Sequence, residues 1–168
     1  LRHPPAHPLN VTPELMSDLD LIRQLGDRLG RPLEEISEDQ FERHVQANYS
    51  RDRTNQDWIT RDAYSLAADG VVSGLLLQPV TSEILFDFPF HQFRQVRRLY
   101  LRNVNLPNFS FLSELKGLTS LDLSFNSISD GSFLSELKGL TSLDLSDNSI
   151  SDWEHPTFAE IVKYQVVH

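Results

Sequence analysis

The chain has 168 residues, no cysteine, a formal charge of −9 and a pI near 5.0. This excludes a disulfide scaffold, a thiolate nucleophile and cysteine-ligated zinc, and argues against a general nucleic-acid binder, whose phosphate contacts need clustered Lys and Arg. An apolar content of 39% supports one domain, with or without an appendage, and no run approaches the roughly 18 apolar residues of a membrane-crossing helix.

Residues 1–12, "LRHPPAHPLNVT", read as a flexible proline-rich arm. His3 and His7 within it lack the further ligands that a zinc site requires. Because the chain starts at Leu1 rather than at a methionine, trimming or processing is expected; a cytoplasmic location is slightly favoured, and a removed signal peptide is compatible. From Pro13 onward, Leu15, Leu19, Ile22, Leu25 and Leu29 recur at steps of three and four, which predicts an amphipathic helix. Thr12 and Pro13 fit its N-cap and first turn, and Gly30 with Pro32 its stop. The stretch "SEDQ" from Ser37 is a capping box closed by Gln40, and predicts a second helix that buries Phe41 and Val45. After the polar stretch "QANYSRDRTNQD", Tyr64 and Leu66 precede the turn signal "ADG" and an apolar strand over residues 71–77, the pattern of a hairpin. Residues 13–71 are therefore expected to form a helical and hairpin cap.

From residue 72 the chain aligns with itself. Val72, Val96, Leu118 and Leu140 share a column; so do Leu75, Leu99, Leu121, Leu143 and then Leu77, Leu101, Leu123, Leu145, at steps of 24, 22 and 22 residues. A fixed period of this length marks a solenoid, because one unit cannot bury its own apolar face and must stack on its neighbours. Residues 110–124, "SFLSELKGLTSLDLS", recur without change as residues 132–146. Aligned 22-residue stretches from Phe109 and Gly131 differ only there and at Phe125 against Asp147. Asn126 and Asn148 fill a turn column in which a side-chain amide can satisfy backbone groups of the adjacent coil, whereas Val80 and Val104 stand there in the first two units.

The pattern "LxxLxLxxN" over residues 72–152 resembles the leucine-rich repeat family, in the 22-residue form of bacterial internalins and of leucine-rich regulators of protein phosphatases. The resemblance implies an α/β solenoid: a short right-handed superhelix with a parallel concave sheet, units starting near residues 72, 96, 118 and 140, preceded by the small helical cap. The returns carry Phe111, Leu112 and Leu115, repeated as Phe133, Leu134 and Leu137, and these are expected to form the convex core. Residues 153–168 read as a C-terminal cap or partial repeat. Either residues 156–165 form a helix or Tyr164 and Val166 begin a fifth repeat strand, and the strand is favoured.

In the strand "LTSLDLS" the leucines point inward, so Ser120, Asp122 and Ser124 face outward. The same alternation lines up Leu76, Tyr100, Asp122 and Asp144, with Pro79, Asn103, Phe125 and Asp147 at the strand exits. Residues 91–105 carry four arginines and no acid, whereas residues 109–160 carry nine acids against Lys116 and Lys138. Arg97, Arg98 and Arg102 thus stand beside Asp122, Asp144 and Asp147, and a protein partner of basic or mixed charge would be steered into register. Two neighbouring carboxylates without further oxygens make a poor calcium site, so no metal is expected.

Exposed Tyr100 and Phe125 are the aromatic anchors such a face would use; Trp58 and Trp153 read as cap core. Neither a "GxSxG", a Walker loop nor an "HExxH" is present, and His44, His91, His155 and His168 share no spacing. The expected function is a non-catalytic protein-binding module without cofactor, whose concave site comprises Arg98, Tyr100, Arg102, Asp122, Phe125, Asp144 and Asp147. The alternatives are an assembly subunit that docks through its termini and a subunit that regulates an enzyme, the latter by analogy with the phosphatase regulators.

Overall fold

A computed structural model describes residues 16–50, 61–151 and 165–167. The proline-rich arm, Thr12, Pro13, Leu15, Trp58, Trp153 and the helical alternative over residues 156–165 lie outside the described residues, save for Gln165, as does the side chain of Val45.

Helix α1 spans Asp18–Leu29. Ser17 is its N-cap, the hydroxyl accepting the Asp20 N–H, and Asp18 and Asp20 sit favourably at the positive end of the helix dipole. Gly30 closes it in the left-handed region, at φ 66°, where an L side chain would be strained. Leu21, Ile22, Leu25 and Leu29 are buried, but Leu19 is exposed. The most buried positions are Leu21 and Leu25, and Leu19 lies on the flank of that face, along a groove shared with Arg23, Leu33 and Tyr64.

A short strand β1, Glu34–Ile36, follows. Helix α2, Glu38–Ser50, starts as the capping box requires: Ser37 Oγ accepts the Gln40 N–H at 3.1 Å and Gln40 Oε1 accepts the Ser37 N–H at 3.0 Å. Strands β2, Ala63–Leu66, and β3, Val72–Leu77, form the expected antiparallel hairpin. Asp62 fixes its base, since its carboxylate accepts the Gln78 N–H at 2.7 Å and pairs with Arg31.

The repeats then add β4, Arg98–Leu101, β5, Ser120–Asp122, β6, Ser142–Asp144, and β7, Gln165–Val167. The sheet runs β1 to β7 in chain order and is parallel except between β2 and β3. The sequence columns are its registers: Leu75, Leu99, Leu121, Leu143 and Val166 lie in one row, and Leu76, Tyr100, Asp122, Asp144 and Val167 in the next.

One face of the sheet carries the main core. Leu75, Leu77, Leu99, Leu101, Leu121, Leu123, Leu143 and Leu145 pack there against Leu112, Leu115, Leu134 and Leu137 from the returns, and α1 closes the N-terminal end. The returns are short: a turn of helix α3, Ser82–Leu85, then 3-10 segments at Phe90–Gln92, Ser110–Glu114 and Ser132–Glu136. Phe111 and Phe133 are only partly buried. They join an aromatic row along the convex side, with Phe111 stacked on Phe90 at 5.1 Å and Phe109 bridging to Phe133 at 6.2 Å.

Candidate protein-binding face

The strand exits are built by the asparagine column. Asn126 Oδ1 accepts the N–H groups of Val104 and Asn105, while its Nδ2 donates to the carbonyls of Leu101, Leu123 and Ser124. Asn148 repeats this one unit on, accepting from Ile128 and donating to Leu123, Leu145 and Ser146. Each amide ties its own turn to the preceding unit, so the turn geometry is copied along the array. Val104 is buried and Val80 partly so; they fill the equivalent position with apolar contact instead.

In the last three units the copied turn puts its column residue in the left-handed region, Asn103 at φ 50°, Phe125 at 59° and Asp147 at 55°, with Asn105 at 43° also there in the first of them. Asn and Asp adopt this region with little strain, but a phenylalanine there costs about 1–2 kcal/mol. Phe125 is nevertheless 48% exposed, so burial does not offset the strain. Its ring lies under the Arg102 guanidinium, 5.6 Å from the centroid. Arg102 is held in turn by Ser124 Oγ, at 3.0 Å, and by the Asp122 carboxylate, at 3.5 Å.

The predicted face divides in two. On β3 and β4 it is covered. Tyr100, expected as an exposed anchor, is completely buried, with Phe41 and His44 of α2 edge-on to its ring at 5.7 and 5.6 Å and its hydroxyl 3.0 Å from Ser120 Oγ. Arg98 is likewise taken up within the chain: its guanidinium reaches Glu38 at 2.7 Å and Glu42 at 3.4 Å, over the Phe41 ring. The capping box was legible in the sequence, but the side of the sheet on which α2 lands was not. Glu38, Glu42 and His44 were missed for that reason.

On β5 and β6 the two aspartates are not the solvated pair that alternation predicts. Asp122 is wholly buried and Asp144 nearly so. Each folds back on its own strand exit, accepting the N–H and the hydroxyl of the serine two residues on: Ser124 at 2.9 and 2.6 Å, Ser146 at 2.9 and 2.6 Å. Burial pushes the Asp122 carboxyl above its ordinary pKa, a shift opposed by Arg102 and reinforced by the Asp144 charge in the next strand. These aspartates build the turn that presents Phe125 and Asp147. Of the predicted residues, Phe125 and Asp147 are exposed and Arg102 is partly so. Among the described residues no three His, Asp or Glu side chains gather as metal ligands, and no helix is long and apolar enough to cross a membrane.

Residues 116–156 match the family model of leucine-rich repeats, in two copies. Among solved structures, an internalin (InlF) of Listeria monocytogenes is similar at 27% identity over 56% of this chain and 27% of its own, with a TM-score of 0.48. An internalin C2 (InlC2) of the same organism is similar at 24% identity over 62% of this chain and 38% of its own, with a TM-score of 0.42. The chain thus spans well under half the length of either. A search of curated proteins finds no match. The matched segment, the 22-residue step and the asparagine column identify residues 116–156 as leucine-rich repeats.

Proposed function

We propose that the chain is a non-catalytic protein-binding module that takes its partner on the strand-exit strip of β4 to β6, around Arg102, Phe125 and Asp147. The observation that carries this reading is Phe125. Its backbone is strained, its ring is exposed, and the otherwise matching unit has Asp147 at that position. Neither local propensity nor core packing accounts for a phenylalanine there, and strain kept without a packing return is characteristic of binding sites. An aromatic held by a guanidinium loses little side-chain freedom on binding, and Tyr, Trp and Arg dominate interface energetics. Repeat arrays offer extended surfaces of this kind to protein partners. Asp147 adds a negative charge beside the ring, which suits a partner with an apolar side chain next to a Lys or Arg.

The test exploits the repeat itself. Phe125→Asn places at this position the residue type that Asn103 already supplies in the same turn. Relief of backbone strain and loss of the ring–guanidinium contact, about 0.5–1 kcal/mol, leave the urea midpoint nearly unchanged. Affinity capture from native lysate, read by mass spectrometry, is expected to recover a partner with wild type and lose it with Phe125→Asn. Equal capture by both proteins would refute the assignment of the strip.

A further inference from the structure

Helix α2 is joined to the molecule differently from α1. Leu21, Ile22, Leu25 and Leu29 of α1 belong to the main core. Phe41 of α2 instead belongs to a separate small cluster with Ile36, Ala63, Leu76 and Tyr100, on the opposite face of the sheet. Phe41 sits over Gly74, where even a Cβ would lie 2.8 Å from its ring. Around it the described contacts are mostly polar: Glu38 and Glu42, whose side chains are 47% and 51% exposed, hold an Arg98 side chain that is itself 13% exposed, and His44 stands edge-on to Tyr100; ion pairs with one partner this wet contribute modestly. Among the described side chains of α2 only Phe41 joins an apolar cluster, and elements held by few apolar contacts open without unfolding the rest.

Resting on the reading above, we propose that α2 is a releasable cover over a second half of the binding face. When it lifts, Leu76, Arg98 and Tyr100 join the strip around Phe125, continuous with it through Arg102 on the same strand edge. The chemistry of the occupant now seated there defines the partner that replaces it. Glu38, Phe41 and Glu42 occupy one side of α2 at spacings of three and four. The face therefore takes an apolar side chain, best an aromatic, flanked by carboxylates that meet Arg98. With the cover closed the partner reaches only the strip; with it open the partner gains a tyrosine and an arginine.

The absence of cysteine makes the opening measurable without any partner. Leu76→Cys lies under the cover and Leu121→Cys in the main core, both buried. Labelling with a bulky thiol reagent is expected to be at least about 10-fold faster at position 76, the ratio of local to global opening. Phe41→Ala, and separately the charge reversal Glu38→Arg with Glu42→Arg, should accelerate position 76 further and leave position 121 unchanged; position 121 also reports any general loss of fold. Equal rates at the two positions, or parallel acceleration by either variant, would overturn the proposal, because α2 would then be part of one cooperative unit. With a partner in hand, Phe41→Ala is expected to tighten its binding several-fold, and unchanged affinity in a variant that labels as open would overturn the docking half. Phe125→Asn addresses the strip independently of both measurements.

Discussion

Asn126 shows how much one side chain can carry in a repeat. Its amide serves two backbone N–H groups and three carbonyls at a site only 6% exposed. Asn126→Ala leaves buried backbone groups unsatisfied and is expected to cost about 2–4 kcal/mol in urea denaturation, with a smaller loss for the more exposed Asn148→Ala. That role was legible in the sequence because the period repeats it. The change at Phe125 was legible too, since the matching repeat holds Asp147 there, but the left-handed backbone that strains it was not. Asp122 was misread: alternation set its side chain on the outer face and could not show that Ser124 and Arg102 fold over it. Its raised pKa means the folded state binds that proton more tightly than the unfolded chain. The resulting stability is full below the unfolded value and is lost as pH rises through the folded one. Asp122→Asn keeps an acceptor for Ser124 without the charge. Its urea midpoint is expected to gain on wild type as pH is raised from about 4 to about 7; a difference independent of pH would mean an ordinary carboxylate.

At the scale of elements, the balance between α2 and the sheet rests on Gly74. A Cβ there would stand 2.6 Å from Ser65 Oγ and 2.8 Å from Phe41 Cε2. Gly74→Ala is therefore expected to destabilise by about 1–3 kcal/mol through overpacking, and amide exchange should quicken in α2 before it does in β5. Protection of α2 equal to wild type would show that the ring shifts aside without loss. The start of α2 could be read from its capping box and the end of α1 from Gly30, because both signals are local. Strand β1 could not, since three residues are too few to show a period. The burial of Tyr100 was beyond reach for a different reason. It depends on a contact between residues about sixty positions apart, and nothing in the alternation of β4 distinguishes a face covered by a helix from one open to water.

For the molecule as a whole, the repeats supply the constant part and the cap decides what remains of the outer face. The main core runs from α1 through β6 on one side of the sheet. On the other side α2 shelters β3 and β4, and the strand exits of β4 to β6 present Arg102, Phe125 and Asp147. Part of the charge asymmetry seen in the sequence is used internally, since Arg98 is paired by α2 and Arg102 by Asp122, while Arg94 and Arg97 are exposed. What the strand exits offer outward is an aromatic ring with a neighbouring carboxylate rather than a field of alternating charge. Hydrogen-exchange footprinting of the complex with the captured partner locates the contact most directly. The account predicts protection at residues 102–104, 124–126 and 146–148, with the convex segments at Ser110–Glu114 and Ser132–Glu136 unchanged; protection on the convex side or at β1 and β7 alone would contradict it.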